Sequence, residues 1–164
     1  MNLDKTLWTQ TSKILSKKQA SDLLLKLRSQ GKKIGFTNGC FDLMHLGHLH
    51  SFMLAKKECD ILVVGINTDN SVRRYKGPMR PIQDEQTRSL MVASLPFVDY
   101  VILFDDDTAE SLIDALRPDV IAKEGYSIDK WPEAQKVISY GGKAVTLPRL
   151  EGYSTSAQVA KMKA

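Results

Sequence analysis

Five short apolar runs, each followed by a segment with helical spacing, limit what this chain can fold into. The runs are KIGFT (33–37), DILVVGI (60–66), YVILF (100–104), DVIAK (119–123) and AVTLP (144–148). The second is β-branched and apolar on both faces, as in a parallel-sheet strand covered on both sides. SKKQASDLLLKLRSQG (16–31) opens on Ser16 with Gln19 three residues on, a capping-box pattern. Leu23, Leu24 and Leu27 form its apolar stripe, and Gly31 closes it. LHSFMLAKKEC (49–59), the stretch Glu85–Leu95, TAESLIDALR (108–117) with Thr108 as N-cap, and PEAQKVISYGG (132–142) continue the series. STSAQVAKMKA (154–164), with Ser154 near its start, ends it. Strands alternating with helices predict an α/β fold: a five-stranded parallel sheet with helices on both faces. Such sheets take ligands outside the C-terminal ends of their strands.

A chain of 164 residues suits a single domain, 1–164, with a helical lead-in at 1–31 and a core at 32–164. Apolar and charged fractions of 43% and 26% exclude disordered and fibrous classes. No apolar run approaches the length of a membrane span. The opening MNLDKTLWTQTSK lacks the apolar core of a signal peptide, so a cytoplasmic protein is expected. Cys40 and Cys59 have no ligand-like or C-x-x-C spacing and read as buried free thiols. The net charge of +4 suits an anionic small molecule or a nucleic acid and does not separate the two.

All three histidines fall in FTNGCFDLMHLGHLH (36–50), directly after the first strand. His45 and His48 are three apart, which puts both rings on one face at a helix start. Gly47 between them lets a ligand approach the backbone. Free N–H groups and the positive end of the helix dipole favour an anion there. His50 is expected at the surface. A zinc site is the competing reading, but no third ligand stands at a matching spacing.

TNGCFDLMHLGHLHSFMLAKK resembles the H-x-G-H signature of the nucleotidyltransferase superfamily, which includes cytidylyltransferases, adenylyltransferases and, more distantly, class I aminoacyl-tRNA synthetases. Four other segments extend the likeness. VGINTD (64–69) ends the second strand on the Thr-Asp pair of this family. KGPMRPIQDEQTR (76–88) and AKEGYSIDK (122–130) resemble segments of bacterial heptose-1-phosphate adenylyltransferases. RLEGYSTSAQV (149–159) is similar to a signature of glycerol-3-phosphate cytidylyltransferases. Tyr126 and Ser127 depart from the heptose pattern, where an acidic residue is usual. The likeness runs from about residue 34 to residue 162 and implies a Rossmann-like sheet of nucleotidyltransferase type.

The implied reaction joins AMP from ATP to a sugar 1-phosphate, heptose 1-phosphate above all, and releases pyrophosphate. The product would be ADP-heptose, a precursor for lipopolysaccharide or another cell-surface glycan. A CTP-dependent glycerol-3-phosphate cytidylyltransferase is the alternative, and a non-catalytic nucleotide- or RNA-binding module the second. The acceptor phosphate is largely dianionic at neutral pH and needs no base, so catalysis reduces to positioning and charge relief.

His45, His48 and Lys76, the last expected in the loop after the second strand, carry the catalytic roles. Asn38, Gly39, Cys40, Phe41, Gly47, Arg88, Arg149, Glu151 and Gly152 are expected at the nucleotide. Ser154, Thr155 and Ser156 join them at the start of the last helix. Arg88 has a second reading, a surface ion pair with Asp84 or Glu85. Asp42, Lys123 and Glu124 are expected at the acceptor. The run Asp105–Asp107 reads as a solvated loop. Magnesium is expected with ATP; no carboxylate cage is visible, and no residue is assigned to a metal. The partners are small molecules, with no nucleic acid and no membrane. A homodimer is expected by analogy of fold. Lacking a sugar-kinase domain, the chain reads as the stand-alone form.

Overall fold

Along the strand Ile61–Asn67, successive side chains enter opposite apolar clusters: Val63 joins one, Leu62 and Val64 the other. That alternation is what a strand buried on both faces must do. The computed structural model describes residues 12–153 together with Thr155, Gln158 and Val159.

In chain order the elements are β1 (Ile14–Leu15), α1 (Lys17–Ser29), β2 (Ile34–Gly39), α2 (Leu46–Lys57), β3 (Ile61–Asn67) and α3 (Asp69–Lys76). There follow α4 (Glu85–Ala93), β4 (Tyr100–Phe104), α5 (Glu110–Leu116), β5 (Val120–Glu124), a 3-10 turn (Ile128–Lys130), α6 (Pro132–Ser139) and β6 (Lys143–Leu147). All strand pairs are parallel, in the order β1-β4-β3-β2-β5-β6. Side chains of α1, α5 and α6 pack on one face with Ile34, Phe36 and Ile121. Those of α2 and α4 cover the other, with Leu62, Val64 and Ile66. The sheet is therefore covered on both faces, as expected.

Three local expectations need correction. The sheet has six strands, not five. The extra one, β1, lies in the lead-in read as helical and has only two residues, too few for any periodicity to show. Its neighbour Lys13 fastens it to the sheet by donating from Nζ to the carbonyls of Leu95 (3.2 Å) and Val98 (2.7 Å). Lys76 closes α3 rather than lying in a loop. That helix, DNSVRRYK, holds one apolar buried residue, Val72, and so carries no apolar repeat. Finally, Ala109 and not Thr108 is the N-cap of α5. Ala109 is fully buried, and the Thr108 hydroxyl bonds Glu110 instead (3.1 Å). The capping box of Ser16 and Gln19 is present at the start of α1.

Moving outward from β2, the chain goes to β3 and β4 on one side and to β5 and β6 on the other. The crevice at the C-terminal ends of β2 and β5 is thus a topological switch point.

Candidate active site

The chain leaves β2 through Cys40–Met44, a loop in which Phe41 and Leu43 adopt left-handed backbone conformations (φ 51° and 49°). Each such non-glycine residue costs about 1–2 kcal/mol and persists only where its surroundings impose it. Here they do. Asp42, 1% exposed, accepts from the backbone N–H of Ile82 (2.9 Å) and Gln83 (3.0 Å) and from Arg80 Nε (2.8 Å). Burial pushes its carboxyl up, but those donors outweigh it and hold the pKa below the usual carboxylate range. The Thr155 hydroxyl donates to the Asp42 carbonyl (2.9 Å), which ties the last described helical segment to the same loop.

Arg88 completes the clamp. It has no exposed surface, and its guanidinium donates to the carbonyls of Gln83 (3.0 Å), Cys40 (2.6 Å) and Asn67 (2.9 Å) and to the Asp69 carboxylate (2.7 Å). It joins the ends of β2 and β3 to the starts of α3 and α4. Neither expectation for Arg88 describes this: it offers a ligand no surface, and its ion pair is buried and made with Asp69. Asp42 likewise spends its carboxylate inside the protein rather than toward an acceptor.

Phe41 is buried as well. Its ring lies edge-on to His48 (5.4 Å between centroids) and packs on Phe52 (4.8 Å), so it supports the imidazole from below. Gly39 permits that fold-back, since a Cβ there would sit 3.1 Å from the Phe41 ring.

His45 is the N-cap of α2, and its ring stacks on that of His48 at 3.7 Å with the planes 20° apart. A Cβ on Gly47 would stand 3.0 Å from the His45 ring and 3.3 Å from the Tyr153 carbonyl, so any side chain there would press on the stack. The Nδ1 atoms of both rings are sealed from solvent without a hydrogen-bond partner. An unpaired buried N–H costs more than an unpaired lone pair in the same place, which favours the tautomer with the proton on Nε2. Neither Nε2 is sealed. Burial pulls the His48 pKa down to about 4, with further lowering by the His45 ring and Lys76. Burial lowers His45 too, against the pull of Glu124. At neutral pH the pair is uncharged and presents two Nε2–H donors. His50, expected at the surface, is half-buried, and its Nδ1 is also sealed.

A cavity of about 410 Å³ opens at the strand ends; neither histidine lines it, but Lys76, which does, acts electrostatically on His48. Asn38, Gly39 and Cys40 line the cavity from β2, Lys76 from the end of α3 and Lys123 from β5. Lys123 Nζ makes one long bond, to Asn38 Oδ1 (3.5 Å), and sits over the Tyr126 ring (4.4 Å). Burial lowers its pKa, against the opposing charge of Glu133. Glu124 turns elsewhere, accepting from Ser51 (2.8 Å) and pairing with Arg149 (3.5 Å). Glu151 and Gly152 form an exposed turn. Ser154 and Ser156 lie outside the described residues.

Asn67, Tyr75, Asp107, Tyr126 and Glu133 also line the cavity and were not assigned to the site from sequence. Asp107 belongs to the acidic run read as solvated; it and Asp105 bind Arg74. Only the fold brings these five to one place. Cys40 is buried and Cys59 half-buried, both free.

Residues 36–159 match the family model described as cytidylyltransferase-like. The chain belongs to this family. By that match it is an enzyme of nucleotidyltransferase type. One relative, the bifunctional protein HldE of Caulobacter vibrioides, is 47% identical over 151 residues, 92% of this chain and 31% of that protein. HldE of Syntrophotalea carbinolica is 44% identical over 146 residues, 88% of this chain and 30% of that protein. The chain thus spans about a third of these relatives' length. A lipopolysaccharide core biosynthesis protein from Thermoplasma volcanium superposes with a TM-score of 0.63 at 31% identity, covering 74% of this chain and all of that one. Pantoate-beta-alanine ligase from Francisella tularensis shares the fold alone, with a TM-score of 0.61 at 16% identity over 89% of this chain and 69% of that one. Among the described residues no helix is long and apolar enough to cross a membrane.

Proposed function

We propose that this domain transfers AMP from magnesium-bound ATP to a sugar 1-phosphate of the heptose type. An oxygen of the acceptor phosphate attacks the α-phosphorus. The bond to the bridging oxygen of the β-phosphate breaks, and pyrophosphate leaves. The stacked His45–His48 pair at the head of α2 carries this reading: both Nε2 atoms are open, and Lys76, which lines the crevice with Lys123, is near enough to His48 to lower its pKa.

The difficulty of the reaction is that two anions must meet. Uncharged imidazoles donate without prior charge, and each N–H becomes worth more as charge builds on the transferring phosphate. Lys76 and Lys123 offset the repulsion between the partners. Among the described residues no three His, Cys, Asp or Glu side chains cluster to hold a metal ion. Magnesium would arrive with the nucleotide, sharing the charge of its phosphate oxygens.

The sugar branch is favoured by KGPMRPIQDEQTR, by the relatives named HldE and by the neighbour titled for lipopolysaccharide core biosynthesis. Pyrophosphate release from ATP or CTP with heptose 1-phosphate, glycerol 3-phosphate or phosphoethanolamine tests it. Turnover is expected with ATP and heptose 1-phosphate. Turnover confined to CTP and glycerol 3-phosphate would move the protein to the other branch, and no turnover with any pair would refute the reading.

A further inference from the structure

Glu133 is the second residue of α6, only 7% exposed, and it lines the crevice together with Lys76 and Lys123. A carboxylate that deep in a site built for anions needs a reason. The helix N-terminus offers one, since an acid in the first turn is favoured there. That accounts for part of its bonding: one oxygen accepts a long hydrogen bond from the Ala109 N–H (3.5 Å). Nothing among the described residues donates to the other oxygen. Lys123, which also faces the crevice, feels its charge but is not in an ion pair with it. A half-buried cation and a buried carboxylate thus line one space without forming an ion pair. Buried charges are ordinarily paired, so a gap of this kind is a place for a molecule that pairs with both.

The same crevice is lined by an aromatic ring. The Tyr126 ring, 43% exposed, stands 4.4 Å from Lys123 Nζ and 5.6 Å from the buried Trp131 ring. A cation, an aromatic ring and a hydroxyl acceptor lining one crevice suit a phosphorylated polyol, which offers a phosphate, a C–H face and hydroxyls. Resting on the function proposed above, we infer that Glu133 is a specificity-determining residue that accepts a hydrogen bond from a hydroxyl of the acceptor sugar, whose phosphate meets Lys123.

The test uses the wild-type protein, E133A and the isosteric E133Q with ATP. The acceptors are heptose 1-phosphate and its mono-deoxy analogues, one hydroxyl removed at a time. Affinity for α,β-methylene-ATP is measured alongside by calorimetry. A hydrogen bond to a charged group supports a loss of roughly tenfold to a hundredfold in kcat/KM for the acceptor in E133A. A smaller loss is expected in E133Q, which keeps a carbonyl acceptor. Nucleotide affinity should be unchanged in both. One deoxy analogue should be equally poor for the wild type and E133A, because the partner of the missing group is already gone.

Equal losses for every analogue would show a purely structural role and overturn the inference, as would unchanged kcat/KM in both variants. A wild type that turns over no sugar phosphate would instead overturn the proposed function and this inference with it. If E133A does not fold, E133Q with the analogue series decides alone.

Discussion

Arg88 and His48 both lean on the loop after β2, and the protein treats them in opposite ways. Arg88 is fully buried and has four acceptors. His48 has a sealed Nδ1 with no partner and an open Nε2. A satisfied buried charge holds a shape, and removing one end of it is costly. An unsatisfied polar group beside a cavity holds nothing in the empty protein and gains only when a ligand arrives. The underside of this site is therefore a clamp, and its rim is a receiver.

The sharpest break of that contrast is Arg88→Met. It leaves three carbonyls and the Asp69 carboxylate without their donor, and should cost about 3–5 kcal/mol of stability. Thermal unfolding should show a fall of roughly 6–20 °C for a chain of this size. His48→Ala should do the reverse. Losing one transition-state donor costs about 2.7–4 kcal/mol, or roughly a hundredfold to a thousandfold in kcat. The melting temperature should hardly move. A His48→Ala variant that melts early but turns over normally would invert the assignment.

A smaller effect comes from pH. His48 titrates at about 4 in the folded protein, below its ordinary 6.5. Between those values the unfolded chain binds a proton that the folded one refuses. Stability is complete above about pH 6.5 and declines as pH falls toward about 4, by roughly 1–2 kcal/mol at pH 5. Denaturant titrations at pH 7 and pH 5 on the wild type and His48→Ala would isolate this share, which the variant should lack.

What could be read in the sequence follows the same division. The run YVILF marked β4 to the residue, because a buried strand announces itself in five consecutive side chains. The histidine pair was legible because its spacing and its glycine are local. Arg88 was not, since an arginine four residues after Asp84 looks like any solvated helix face. Its burial depends on β2, β3 and α3 converging, and no window of the sequence contains all three. Glu133 was hidden for the same reason: it stands at an ordinary helix start until β5 and α6 pack it into the crevice. The two-residue β1 and the polar α3 escaped because neither carries an apolar period.

The central claim is that the two stacked imidazoles receive the nucleotide's phosphates. With three histidines in the chain, their ring nitrogens can be followed one by one by nitrogen-15 NMR. Magnesium and α,β-methylene-ATP should shift the ring signals of His45 and His48 and raise the His48 pKa from about 4, leaving His50 as the reference. If calorimetry shows the analogue bound while the His45 and His48 rings keep their shifts and their titration, the phosphates lie elsewhere and the account is wrong.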